Sequence, residues 1–457
     1  MSETVMAEPK EKKVKVRINW KYVLIFGFWE ASLSVIWGVY NNYMPVFWQS
    51  GNPNYNVLGA SAALGFGLGA FTTSIIMSVD NIGSVIMQPI FGALSDRVKS
   101  RKRIVVWAGA ATAILYALLP IGFLSITPES SGDLAALTFP FVITILIAFL
   151  MILFWGIAKP SEMGLRYAII PSAARSRVYG LIAFVVGIAF VLTFTTSNIL
   201  YNIFPALPFW IGAGFLFITV ILYMVFVKEP EGTTLAEDDS QVRSFRDLFK
   251  GFKLFNREQL VAIVLISATK FLSWFGVAGL ETFASSYLVN VLGMNESVAG
   301  NMTAIYFVGY LAACIPAGYL SNKIGRRRLW AIALFAFIFT GVVQYLTHSA
   351  TLIFPVLIIA GMANAITDVM ALPMVTDVAP SKKVMGISVA LLASITTLAS
   401  IFAVPMYGAI FELTNNNFKL LWLGMAIAPV LALIVLSRLK KGVGEAKAAT
   451  TQEEAEW

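Results

Sequence analysis

Gly92-Ala-Leu-Ser-Asp96-Arg97-Val-Lys99-Ser-Arg101-Lys102-Arg103 has a partner further along the chain, Gly318-Tyr-Leu-Ser-Asn322-Lys323-Ile-Gly325-Arg326-Arg327-Arg328. Each stretch follows a proline, Pro89 or Pro316, and the leading glycines lie 226 positions apart, close to half of the 457 residues. Self-similarity at a fixed offset is the mark of a duplicated unit. Both stretches are also basic islands between long apolar runs. A helix crossing a bilayer needs about 20 predominantly apolar residues, because its backbone amides find no water inside the membrane.

Runs of that kind cover Tyr22–Trp48, Leu68–Leu94, Ile104–Ile126, Phe139–Ala168, Val178–Ile199 and Phe209–Val227 in the first half. The second half supplies Leu260–Val291, Val298–Leu320, Leu329–Thr347, Leu352–Val375, Gly386–Phe411 and Leu420–Ser437. The expectation is an all-α membrane protein of twelve transmembrane helices in two pseudo-symmetric six-helix bundles. Composition agrees: 58% hydrophobic and 13% charged residues, with a mean hydropathy of +0.78, against about 25% charged in soluble domains. A soluble enzyme and a disordered scaffold are thereby excluded.

The net charge of +8 is explained by where the bases sit. They fall in Lys10–Lys21, Arg97–Arg103, Arg175 and Arg177, Lys228–Arg257, Lys323–Arg328, Lys382 and Lys383, and Arg438–Lys447, whereas 49–67 and 127–138 contain neither Lys nor Arg. The asymmetry predicts both termini in the cytoplasm of a multi-pass plasma-membrane protein. Bases facing anionic lipid need no nucleic acid to account for them. The expected organisation is a cytoplasmic segment 1–21, a first bundle 22–227, a linker 228–258, a second bundle 259–437 and a cytoplasmic tail 438–457. Within the linker, Val242, Phe245, Leu248, Phe249 and Phe252 recur at helical spacing beside a basic stripe, which predicts a helix lying in the interface. The polar start, Met1–Asn19, leads into an apolar run too long for a signal peptide, so the first helix is expected to be retained. One cysteine, Cys314, and one histidine, His348, predict neither an intrachain disulfide nor a His/Cys metal site. Cys314 reads as a packed small residue.

The paired stretches match the Gly-x-x-x-Asp-Arg/Lys-x-Gly-Arg-Arg/Lys signature of the major facilitator superfamily, which the chain resembles over nearly its full length. The first copy has Lys99-Ser100 where the family has glycine, and the second has Asn322 in place of the acid. The resemblance implies a gating role for Asp96, Arg97, Arg101, Lys323 and Arg326. Asp96 suits pairing with nearby bases or a helix terminus, holding the cytoplasmic side shut until the halves rock. A further correspondence relates Arg177-Val-Tyr-Gly180 to Lys383-Val-Met-Gly386 at an offset of 206, which also places Glu162 opposite Asp368. Both acids are expected to face a central cleft.

Ionisable groups inside a membrane are costly, by about 2.5–3.5 kcal/mol each on insertion scales, and mark functional positions. Glu30, Ser34, Trp37 and Asn41 form one helical stripe, with Tyr43 nearby. Asp80 lies in the second span, Lys159, Glu162 and Arg166 in the fourth, Lys270, Trp274 and Glu281 in the seventh, and Asp368 in the tenth. The spacing of Lys159, Glu162 and Arg166 also suits pairing along their own helix. Lys270 and Glu281 are too far apart to pair directly and need partners on other helices. Carboxylates, amides and aromatic rings together suit a polyhydroxylated solute. The acids suit either a proton, through a raised carboxyl pKa, or Na⁺ held among oxygens.

Within the superfamily the chain looks most like the glycoside-pentoside-hexuronide:cation symporters and the sucrose and maltose carriers. The grounds are Asp80 ahead of Gln88-Pro-x-x-Gly-x-x-Ser-Asp96-Arg97, the segment Tyr40, Tyr43, Pro45, and the mixed charges of span four. That resemblance implies sugar entry coupled to H⁺ or Na⁺, with cation coupling at Asp80, Glu30, Glu162 and Asp368. It implies a solute site formed by Trp37, Asn41, Tyr43, Lys159, Lys270, Trp274 and Glu281. A drug or organic-anion carrier of the same fold, and a non-transporting membrane sensor, are the alternatives. No nucleophile–base pair, metal cluster or phosphate loop suggests an enzyme. No cofactor beyond the coupling ion, and no obligate protein partner, is expected.

Overall fold

The computed structural model describes residues 18–49, 65–68, 70–233, 253–294, 296–414, 417–440 and 442–445, a few helical side chains within these ranges excepted. The expected interfacial helix from Val242 to Phe252, and most of the tail, lie outside the described residues.

Twelve long helices make up the described chain: α1 (Trp20–Gln49), α2 (Ala70–Ser95), α3 (Arg101–Leu118), α4 (Thr138–Ile169), α5 (Arg175–Ile203), α6 (Leu207–Phe226), α7 (Arg257–Asn290), α8 (Glu296–Ile324), α9 (Arg326–Thr347), α10 (Ile353–Val378), α11 (Met385–Leu413) and α12 (Leu420–Ser437). Eleven of them are long and apolar enough to cross a membrane. The third expected span is present as one membrane-length run, Arg101–Leu124, with a single turn residue, Leu119, inside it. α3 stops at Leu118 and a short helix, Pro120–Leu124, carries on, because Pro120 has no N–H to continue the ladder. α7, at 34 residues, is about 51 Å long at 1.5 Å per residue, and so exceeds a hydrocarbon core of about 30 Å.

Helix starts follow local chemistry. Asn256 and Gln259 form a reciprocal capping box at α7, satisfying two N–H groups that a helix leaves open. Gly325 takes φ 89° between α8 and α9, a left-handed conformation that costs glycine nothing. The helices pack with internal symmetry: α1 on α5 and α6, α2 on α4, and α3 on α4 and α6, with α7 on α11 and α12, α8 on α10, and α9 on α10 and α12 repeating the arrangement. One core cluster draws on α1 to α6 alone. The other is built on α7 to α12 and takes in a few residues of the first half, including Met163 and Tyr167.

Two main crossings join the halves, α2 with α11 and α5 with α8, flanked by α4 against α11 and α5 against α10. Their glycines are those of the sequence repeats. A Cβ placed on Gly92 would stand 2.6 Å from Ala390 Cβ and 2.8 Å from Gly386 O, and one on Gly386 would stand 2.6 Å from Gly92 O. At the other crossing a Cβ on Gly180 would stand 2.5 Å from Cys314 O, and one on Gly318 would stand 2.7 Å from Ser176 O. Small residues let backbones touch where no side chain fits between them. Both crossings lie toward the face that carries the basic loops, and there the halves are closed on one another.

Candidate functional site

A cavity of about 360 Å³ lies between the halves, with walls that include Glu30, Lys159 and Tyr179 from one half and Lys270, Trp274 and Asp368 from the other. On the second-half side, Lys270 Nζ donates to Asp368 Oδ1 (2.5 Å) and Thr367 Oγ1 (3.3 Å), and Tyr310 OH donates to Asp368 Oδ2 (3.0 Å). The ammonium sits 5.0 Å from the ring centre of Trp274, within cation–π range. The indole N–H of Trp274 is tied to Ser400 Oγ at 2.8 Å. Lys270 therefore has the off-helix partner that its position demands, in an acid three helices away.

The first-half side is built around Arg166. Its Nη2 donates to Glu30 Oε1 at 2.5 Å and lies 3.2 Å from Glu162 Oε2. Glu30 keeps 18% side-chain exposure, whereas Glu162 and Arg166 have none. Glu162 is thus corrected from a cleft residue to a buried partner of Arg166 behind Glu30; one guanidinium serves two carboxylates there, and removing it would leave buried charge uncompensated. Spacing along α4 accounts for the Glu162–Arg166 contact, and α1 supplies the rest. Lys159 does line the cavity, its ammonium 5.2 Å from the ring centre of Trp155.

The outer part of the α1 stripe is not part of the cavity wall. Trp37 stands edge-on to Trp155 (5.7 Å) and Tyr40 (5.5 Å), and Asn41 is exposed. Tyr43 is buried, stacked on Tyr201 at 4.5 Å, with its hydroxyl bonded to Ser197 Oγ. The stripe is one helical face, but its outer turns meet different neighbours: Trp155 of α4 stands against Trp37, and Tyr201 and Ser197 of α5 cover Tyr43. Asp80 falls in α2 and Glu281 in α7, and the side chains of both lie outside the described residues. Asn81, next to Asp80, lines the cavity.

The basic face is held by two charge clusters. In the first, Asp96 Oδ1 accepts from Arg101 Nη2 (2.5 Å) and from the N–H of Gly386 (2.9 Å), and Oδ2 accepts from the N–H of Ile387 (2.9 Å). Arg101 also donates to the carbonyls of Lys382 and Lys383. A carboxylate thus sits on the positive end of α11. Burial pushes the Asp96 carboxyl up, while Arg101 and the two amides pull the other way. In the second cluster Asp377, at the end of α10, pairs with Arg326 and with Arg175 Nη1 (2.8 Å). Arg326 reaches the first half as well, at Ser172 O (2.9 Å) and Ser176 Oγ (2.5 Å).

Asp377 is the residue that sequence reasoning missed. Its one signal was an acid just ahead of Pro380 at the inner end of a span. Asn322, in the position of Asp96, accepts instead from Arg177 Nε at 2.6 Å once its amide is oriented by its neighbours. Arg97 and Lys323, expected in the gate, take part in no ion pair among the described residues; Lys323 is exposed.

Paired bundles meeting at a charged central cavity and sealed by loops on one face define a membrane transporter built for two bundles to move against each other. Residues 31–295 and 266–457 match the family model of the Major Facilitator Superfamily, and the chain belongs to that superfamily. It is a multi-pass membrane transporter and not an enzyme. A lactose permease of Klebsiella oxytoca is 28% identical over 167 residues, 36% of each chain, so the match spans about a third of that relative. Among solved structures, the human organic anion transporter MFSD10 (TETRAN) superposes with a TM-score of 0.69 at 16% identity, covering 91% of this chain and 99% of that one. The proton:xylose symporter XylE gives 0.67 at 13% identity over 95% and 98%. The E. coli fucose:proton symporter FucP gives 0.66 at 14% over 92% and 100%. Identities this low establish the shared fold alone.

Proposed function

We propose that the protein carries a sugar or glycoside across the plasma membrane by cation symport with alternating access, both termini being cytoplasmic. The observation that carries this reading is the placing of Glu30 and Asp368, from opposite halves, on one cavity, each held by a base and each beside an aromatic wall. A proton on Asp368 releases Lys270 to sugar hydroxyls, and a proton on Glu30 frees that carboxyl to bond a hydroxyl while Arg166 stays paired with Glu162. The Trp274 face covers the apolar side of the ring. Asp80 is the further acid assigned to coupling, with H⁺ and Na⁺ as the two candidate ions. The Asp96 and Asp377 clusters act as the cytoplasmic gate. The partial likeness to a lactose permease, and a fold shared with xylose and fucose symporters, support a sugar as solute.

A second reading, transport of an organic anion, is favoured by two ammonium groups, Lys159 and Lys270, on the cavity wall. The test follows the external pH of lightly buffered, de-energised cells expressing the protein as neutral sugars and then organic acids are added, with and without Na⁺. Alkalinisation on adding one neutral sugar supports proton symport. Labelled sugar uptake that needs Na⁺ and leaves pH unchanged assigns a sodium site instead. Uptake inhibited by carboxylates and indifferent to neutral sugars overturns the sugar reading. Asp80→Asn is expected to abolish gradient-driven uptake, and intact uptake in that variant removes Asp80 from the coupling path.

A further inference from the structure

The two helices that begin with the gate arginines, α3 at Arg101 and α9 at Arg326, start in the same way. A helix leaves its first N–H groups without internal partners. At α3 they are met by Glu229, three residues beyond α6: Oε1 accepts from the N–H of Arg101 (2.9 Å), and Oε2 accepts from the N–H of Lys102 (3.2 Å) and from Ser100 Oγ (2.6 Å). At α9 they are met by the carbonyl of Gly444, beyond α12, which accepts from the N–H of Arg326 (2.7 Å) and of Arg327 (3.2 Å). Each half therefore folds its exit segment back beneath its own third helix, onto the arginine that closes the gate.

The two caps are held differently. Glu229 is a side chain on the segment leading directly out of α6. Gly444 belongs to a short turn with φ 95° at Gly442 and 75° at Gly444, closed by a bond from Gly442 N–H to Glu445 Oε1 (3.1 Å). Arg327 reaches back from α9 to the carbonyls of Ser437 and Leu439 at 2.9 Å each, drawing the end of α12 to the same point. A Cβ on Gly444 would stand 2.7 Å from Met374 Cε, and Met374 lies one turn before Asp377 on α10. The turn thus touches α9 and α10, which carry Arg326 and Asp377 of the second cluster, and its anchorage is a few backbone bonds.

We propose that the segment Gly442–Glu445 is a positioning element for the cytoplasmic gate. By capping α9 it fixes the first turn so that Arg326 meets Asp377, Ser172 and Ser176, and its release favours opening of that face. Glu229 does the same for Arg101. This rests on the reading of the two clusters as a gate, and the experiment separates the two claims. It uses the single thiol of the chain, Cys314, which is fully buried on α8 at the crossing with Gly180, and follows its alkylation by N-ethylmaleimide in the purified full-length protein, so no solute is needed.

Gly444→Val, which cannot hold the positive φ, and a chain shortened after Lys441 are both expected to raise the alkylation rate about fivefold, the factor that corresponds to the roughly 1 kcal/mol of a lost helix cap. Glu229→Gln is expected to act in the same direction, and uptake in all three should show a changed kcat at an unchanged KM. Size-exclusion profiles identify variants that fold, and either tail variant suffices for the test. If Asp377→Asn speeds alkylation and the folded tail variants do not, the positioning role is wrong and the gate stands. If Asp377→Asn also leaves the rate unchanged, the gate reading falls and takes the proposal with it.

Discussion

At α2 and α11 the closing acid lies in the repeated loop itself, and Asp96 divides its oxygens between one guanidinium and two amides at the start of a helix. At α5 and α8 the same loop position holds Asn322, and the acid has moved to the end of α10, where Asp377 lies between Arg326 of its own half and Arg175 of the other. The glycine contacts beneath are alike in the two places. Duplication has preserved the close approach of backbones, which tolerates no side chain, while charge has been redistributed among neighbours that a guanidinium can reach. Geometry is the constrained part and electrostatics the adjustable part. One consequence is that the second cluster links the halves by an ion pair, while the first links them through helix-terminal amides and carbonyls.

Breaking the shared part should have the largest effect. Gly386→Val places side-chain atoms where Gly92 O and Ser95 Oγ stand within 2.6 Å of a Cβ, so closure of the cytoplasmic face is blocked and uptake is expected to vanish while protein remains in the membrane. Gly180→Val is expected to match it, and normal uptake by either variant would refute the crossing as a required contact. The differing parts should separate next. Asp377→Asn leaves Arg175 and Arg326 buried without a counter-charge, a loss of about 3–5 kcal/mol for a broken buried pair. Asp96→Asn leaves one buried guanidinium and retains an acceptor for an amide, so about 1.5–3 kcal/mol is expected. Crosslinking yield between cysteines placed across each crossing measures both, and an equal response would erase the distinction.

Asn322→Asp sharpens the comparison by restoring an acid to the second loop beside Arg177. The closed state should gain about 1 kcal/mol, read as turnover slowed about fivefold with binding unaltered. The smallest effect belongs to Lys440→Ala. Its pair with Glu258 is exposed at 69% and 67%, and such pairs contribute about 0–1 kcal/mol. Thermal unfolding and uptake should both stay at the level of the parent.

The membrane spans were legible because a bilayer imposes a length and a composition that no other environment demands, and α4, α10 and α12 run close to the expected bounds. The repeat was legible too, down to Gly92 and Gly318, Gly180 and Gly386. What the offsets did not convey is that Gly92 meets Gly386 and Gly180 meets Gly318, each from the other half. The site was legible one helix at a time. Lys270 and Asp368 were each singled out on apolar helices, but their bond depends on how α7 and α10 lie together. Trp37, Asn41 and Tyr43 share a face of α1 with Glu30, although Trp37 packs on Trp155 of α4, Tyr43 packs on α5 and Asn41 is exposed. Glu162 was placed by analogy with Asp368, and the base on its own helix turned it away from the cleft. Asp377 resembled an ordinary loop charge because its two arginines lie about 50 and 200 residues away along the chain.

The exchange of glycines between halves has a consequence for heredity. Neither copy of the duplicated unit contains a complete crossing, so neither is free to drift alone: a bulkier residue at Gly386 finds room only if the segment around Gly92, hundreds of codons upstream, changes with it. A genetic screen for revertants of Gly386→Ala should therefore return second mutations clustered at Gly92 and Ser95, and revertants of Gly180→Ala should cluster around Cys314 and Gly318. The gene's two halves are bound to change as a pair.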